Sequence, residues 1–127
     1  MLYSLLMYIP DCLEIKDSPI HGKGVFATKD IKANTKLVEF TGKEMTYQEI
    51  KERYGNDWRF IYRRMPWQTQ IVAKDDKNLI CFVNDGIHLQ KFPKKNCILK
   101  NRFLISIENI NAGDELLLDY GKKYWKN

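Results

Sequence analysis

Three short segments, far apart in the chain, hold the residues most capable of chemistry. Gly22-Lys23-Gly24 lies near the start, Asn84-Asp85-Gly86 follows the apolar run 79–83, and Tyr120 sits in Leu116-Leu117-Leu118-Asp119-Tyr120-Gly121 near the end. A glycine pair lets the backbone come close to a ligand, where a Cβ would collide, and it is equally the mark of an ordinary tight turn. A dinucleotide-binding turn would need a third glycine and a following helix, and both are missing. Asn84 is placed to start a turn or to hold a polar ligand. A tyrosine ionises near pH ~10 in water, so at neutral pH Tyr120 is a hydrogen-bonding orienter rather than a general base; it could also simply cap a sheet. Three cysteines with no C-x-x-C spacing and only two histidines give no expected metal site.

The elements that must position these residues are short. Apolar runs bounded by turn formers recur at 13–15, 25–27, 37–40, 71–73, 79–83, 103–107 and 116–118, which predicts a mostly-β domain. The run 71–73 is expected to pair with 79–83 across the polar turn 75–78. One helix is expected after Thr46, because Thr46 and Glu49 form a capping box, Tyr47, Ile50 and Tyr54 share a face, and Gly55 is placed to stop it. The stretch 85–96 reads as a long loop.

Length and charge set the outer bounds. A chain of 127 residues, 44% hydrophobic and 13% aromatic, makes one ordered domain, taken as 1–127. The net charge of +5 is modest and scattered apart from the pairs Arg63-Arg64, Lys94-Lys95 and Lys122-Lys123. Direct nucleic-acid contact is therefore not the expected primary role, although a small basic nucleic-acid-binding β domain stays as an alternative. Unpaired cysteines fit a reducing, intracellular compartment. The apolar opening 1–9 is too short to span a bilayer and reads as a packed terminal segment.

Taken in order, the Gly22-x-Gly24 turn, Asn84 after its apolar run and the Leu-Leu-Leu-Asp-Tyr-Gly segment ending at Gly121 resemble the signature segments of the SET-domain protein methyltransferases. The resemblance covers about residues 13–125. It implies a β-clip-like fold of several short curved sheets, one or two short helices and a C-terminal segment threaded under a loop. It also implies transfer of methyl groups from S-adenosylmethionine to a protein lysine, most readily in a histone tail, leaving S-adenosylhomocysteine.

By that resemblance Gly22, Lys23, Gly24, Asn84 and the Asp85 backbone hold the cofactor. Tyr120 stands where methyl donor and lysine amine meet, and Phe40, Tyr62, Leu99 and Leu118 shape the lysine channel. Trp125 either packs on the domain or covers the adenine. The chain departs from the family pattern at Cys81 (commonly Arg), Asp85 (His), Phe40 (Tyr) and Leu118 (Phe or Tyr), and a loop replaces the usual Ser-Cys-x-Pro. The departures at Cys81, Asp85 and Phe40 motivate a second alternative, a degenerate SET domain that binds without turnover. Glu39, Glu44 or Asp119 would supply local acids for a basic peptide. A homodimer burying Trp58, Trp67 and Trp125 is expected, with the nucleus as location if the substrate is a histone and the cytoplasm otherwise.

Overall fold

The structure is a computed structural model that describes residues 7–75 and 77–121. Among the described residues the strands form four small sheets, each of two or three strands. Strands β1 (Leu13–Asp17) and β2 (Lys23–Ala27) pair antiparallel with Leu13 opposite Ala27 and Asp17 opposite Lys23. The turn between them closes through Ser18 N–H donating to the Gly22 carbonyl at 2.8 Å, and Gly22 takes φ +48°, a left-handed conformation that glycine adopts without steric cost.

Strands β3 (Lys36–Glu39), β8 (Cys97–Lys100) and β9 (Phe103–Ser106) form one sheet in the order β3-β9-β8. The β8–β9 hairpin turns on Asn101 and Arg102, both with positive φ (50° and 72°), the combination whose twist matches paired strands. Strands β4 (Lys43–Met45), β5 (Ile61–Tyr62) and β6 (Gln70–Val72) form the third sheet, in the order β4-β6-β5.

Helix α1 (Tyr47–Tyr54) connects β4 to β5 and has the expected capping box. Thr46 Oγ1 accepts from the Glu49 N–H at 3.1 Å, and Glu49 Oε1 accepts from the Thr46 N–H at 2.9 Å. Gly55 ends the helix by donating to the Lys51 carbonyl. Ile50 is its buried anchor, packed with Met45, Val72, Tyr54, Trp58 and Ile61, and burial of such a side chain stabilises by about 1.5–3 kcal/mol.

One expected pairing is not formed. Residues 71–73 do not pair with 79–83, because β6 already has β4 on one edge and β5 on the other. Leu79–Phe82 instead coils into a 3₁₀ turn. Asn78 starts it: its Oδ1 accepts from the Ile80 N–H at 3.1 Å, and its Nδ2 donates to the Thr41 carbonyl at 2.8 Å. Leu79, Ile80 and Val83 all face the main core, which also takes in Val25, Ile71, Leu104, Ile110 and Leu116. A continuous apolar run suits that all-round burial as well as it suits a strand.

The last sheet makes the fold unusual. Strands β7 (Asn84–Asp85) and β10 (Leu117–Leu118) pair in parallel. On its other edge β10 is held by Asn96, which donates N–H to the Leu117 carbonyl at 3.1 Å and accepts the Leu117 N–H on Oδ1 at 2.8 Å. The C-terminal strand therefore runs between the two ends of the loop 86–96, the threading that the resemblance implies and that connections normally avoid. Gly86 permits the loop to close, since a Cβ there would lie 1.8 Å from the Lys94 carbonyl oxygen and 2.8 Å from Leu117 Cβ. No helix among the described residues is long and apolar enough to cross a membrane.

Candidate active site

The threading brings the three segments together. Asn84, buried at the start of β7, reaches back to the β1–β2 turn. Its Nδ2 donates to the carbonyls of His21 (2.9 Å) and Lys23 (3.2 Å) and to Glu115 Oε2 (2.9 Å). Three acceptors around one end of the amide fix its orientation. Oδ1 must point the other way, and among the described residues no donor reaches it.

Glu115 is the residue that sequence reasoning passed over. Its half-buried carboxylate accepts from Ser18 Oγ at 2.8 and 2.9 Å and from Asn84, tying turn, β7 and C-terminal segment into one unit. The signal was present: an acid directly before three buried leucines needs a local partner. Gly24 belongs to this unit as well. A Cβ at Gly24 would lie 2.3 Å from Glu115 Oε2, so the missing side chain makes room for the carboxylate. A Cβ at Gly22 would meet nothing within 4 Å; here the positive φ requires glycine.

Asp85 is fully buried, and its carboxylate serves the loop. Oδ1 accepts the N–H of Ile87 (2.7 Å) and His88 (3.0 Å), while Oδ2 lies 2.8 Å from His88 Nδ1. His88 Nδ1 also lies 3.6 Å from Asp119 Oδ1. Asp85, His88 and Asp119 thus form a compact polar cluster that stitches the loop to the segment before Tyr120, and sequence reasoning did not anticipate it.

Tyr120 joins this unit to a cleft. Its hydroxyl donates to the carbonyl of Val83, the residue preceding Asn84. With the proton so directed, the oxygen meets an approaching group as an acceptor. The cleft has a volume of about 430 Å³ and is walled by Phe40, Trp58, Phe60, Leu99, Leu118 and Tyr120, with Cys81 and Lys95 also in its lining. Phe60 holds φ +62°, an outlier for a bulky residue that turns the chain at the cleft wall. Burial pushes the Cys81 thiol up to about 11, so it stays protonated at neutral pH and is no nucleophile.

Most of the expected channel residues meet here. Tyr62 does not line the cleft: it stands behind Phe40, ring centroids 5.8 Å apart, with its hydroxyl accepting the Arg102 N–H at 3.1 Å. Trp58 is in the wall, its ring tilted against Tyr47 with centroids 4.9 Å apart, whereas Trp67 is exposed on the β5–β6 connection. Trp125 lies outside the described residues. Glu44 is occupied, bonded to Arg64 Nη2 at 2.8 Å and Thr69 Oγ1 at 2.7 Å, and these contacts hold its carboxyl below the usual range.

A mostly-β domain of small sheets, threaded by its own C-terminal strand and with a tyrosine at the crossing, defines a narrow class of proteins. Residues 22–121 match the SET domain family, and the chain belongs to it. Among solved structures, the methyltransferase domain of human PR domain-containing protein 2 superposes with a TM-score of 0.64 over 89% of this chain and 79% of that one, at 24% identity, a similarity of fold. No curated protein matches the sequence significantly.

Proposed function

We propose that this protein is an S-adenosylmethionine-dependent protein lysine methyltransferase. The observation that carries the proposal is the position of Tyr120, with its hydroxyl proton committed to Val83 and its ring in an apolar cleft, beside the Asn84–Glu115 unit. When bound, S-adenosylmethionine supplies a methyl group on a cationic sulfur.

The residues present fit such a donor. Gly22, Lys23, Gly24 and Asn84 would hold its amino-acid end, with Asn84 Oδ1 as acceptor for the ammonium group. The backbone at Asp85 would meet the adenine, since its carboxylate is committed to the loop.

The cleft would take the lysine side chain. Its apolar wall disfavours an ammonium and lowers the amine pKa, so the neutral form enters the reaction. Tyr120 Oη accepts an N–H of that amine and turns the nitrogen lone pair toward the methyl carbon. Bound S-adenosylmethionine would supply its methyl group to that lone pair, the S–C bonding pair would stay on sulfur, and the methylated ammonium would return a proton to solvent. Positioning of this kind supplies much of the rate without acid-base strength.

The test is Tyr120→Phe, assayed by mass spectrometry on a peptide panel that includes histone tails, the substrate first expected from the sequence. Turnover should fall about 10- to 1,000-fold, the scale of one preorganised polar contact, while affinity for S-adenosylhomocysteine in calorimetry changes little. Unchanged turnover in Tyr120→Phe, or no transfer to any peptide by the unaltered protein, overturns the proposal.

A further inference from the structure

If the cleft is the lysine channel, which is the reading this inference rests on, its rim restricts which lysines can enter. Three exposed cations lie in the cleft lining or against its wall residues. Lys95 is in the lining itself. The Arg63 guanidinium carbon sits 4.2 Å from the centroid of the Trp58 ring, and Lys77 Nζ sits 4.8 Å from that of Phe60, both rings being part of the cleft wall. These ring contacts hold two mobile side chains near the opening at little further entropic cost.

Among the described residues, no carboxylate pairs with any of the three. Two of the nearby acids are committed. Asp57, next to Trp58, pairs with Arg59 at 2.9 Å and Lys74 at 3.2 Å, and these contacts hold its carboxyl well below the usual range. Glu44 pairs with Arg64. Asp119 is the carboxylate in the lining; its Oδ1 accepts the Gly121 N–H at 2.8 Å and lies 3.6 Å from His88 Nδ1, which is closer to Asp85.

We infer that this protein selects lysines flanked by acidic residues, with Arg63, Lys77 and Lys95 reading the flanking carboxylates. Acidic flanks would neutralise the rim, and Arg63 can bind a carboxylate through two parallel N–H donors. A strongly basic tail would bring like charges to the same rim, and interfaces discriminate against partners by such repulsion. The same three cations favour the neutral form of the entering amine. Two of them come from the basic pairs Arg63-Arg64 and Lys94-Lys95.

The experiment uses two peptide sets with one central lysine, flanked by Asp and Glu in one and by Arg and Lys in the other. Methylation is followed by mass spectrometry, and binding by fluorescence anisotropy with S-adenosylhomocysteine present. Three exposed ion pairs predict a kcat/KM advantage of about 3- to 100-fold for the acidic set at low ionic strength. It should reside in KM and shrink as salt shortens the screening length. The double variant Arg63→Glu, Lys95→Glu, at exposed positions, should reverse the preference in both assays. Equal or better use of basic flanks by the unaltered protein overturns the inference and leaves methyl transfer standing. Binding of the acidic set without methylation of either overturns methyl transfer and leaves the rim standing. Neither binding nor methylation in either set overturns both.

Discussion

Gly24→Ala tests whether the β1–β2 turn, β7 and the C-terminal segment act as one unit through Glu115. The added Cβ would lie 2.3 Å from Glu115 Oε2 and 3.0 Å from its Cδ and from Ser18 Cβ, so the carboxylate must leave. Its hydrogen bonds from Ser18 (2.8 Å) and Asn84 (2.9 Å) then go with it. Hydrogen bonds to a charged group each contribute about 1.5–3 kcal/mol. Alanine in a strand recovers about 0.5–1 kcal/mol through lower unfolded-state entropy, which leaves a net loss of about 2–5.5 kcal/mol. That is a large part of the ~5–15 kcal/mol typical of a domain.

Urea unfolding should show this loss. Calorimetry should show donor affinity falling about tenfold or more, because Asn84 loses one of the acceptors that orient it. The decisive step is a double-mutant cycle with Glu115→Ala. Once the carboxylate is gone the collision is gone, so the double variant should cost little more than Glu115→Ala alone, a coupling of about 2 kcal/mol. The Ser18 Cβ contact remains and keeps the rescue partial. Additive costs in the double variant, or a Gly24→Ala protein within about 0.5 kcal/mol of the parent, would refute the reasoning.

Other expectations follow from single residues. Phe40 and Leu118 line the cleft without a hydroxyl that could anchor a water against a growing methylamine, so di- or trimethyl-lysine is expected. Leu118→Tyr should shift products toward monomethyl by about tenfold, measured by mass spectrometry at exhaustive turnover; monomethyl-lysine alone from the parent would refute this. Cys97 is fully buried, and burial pushes its thiol up to about 12. The native state therefore keeps a proton that the unfolded chain releases above its ordinary value of 9.0, and stability contributed below pH 9.0 is lost as pH rises toward about 12. Urea titrations of Cys97→Ala should give a flatter pH dependence over that window, by up to ~1.4 kcal/mol per pH unit. Thr46→Ala removes the helix cap and should cost about 1 kcal/mol in the same assay, with donor affinity unchanged.

Much of the fold could be read locally. Helix α1 follows from a capping box, one apolar face and a terminal glycine, all within ten positions of each other. Strands β1, β2, β3 and β9 follow from short apolar runs between turn formers, because a half-buried strand leaves its mark in the residues themselves. The order of the Gly22 turn, Asn84 and Tyr120 likewise pointed to the SET domain family, to which residues 22–121 conform.

What the chain could not announce locally are the contacts between distant segments. The run 79–83 is apolar throughout, a pattern compatible with strand or coil, and only the occupied edges of β6 and the Asn78 cap made it a 3₁₀ turn. Tyr62 and Phe40 look alike as aromatic channel candidates. Their roles separate because Arg102, 40 residues beyond Tyr62, takes its hydroxyl and holds the ring behind Phe40. Glu115 reads as a surface acid until Ser18, 97 positions away, and Asn84 converge on it. That Gly24 also makes room for a carboxylate shows only once Glu115 is found in the space its Cβ would fill. A side chain's local pattern encodes whether it is buried; the partner it meets is set by which strands thread past one another, and that belongs to the whole fold.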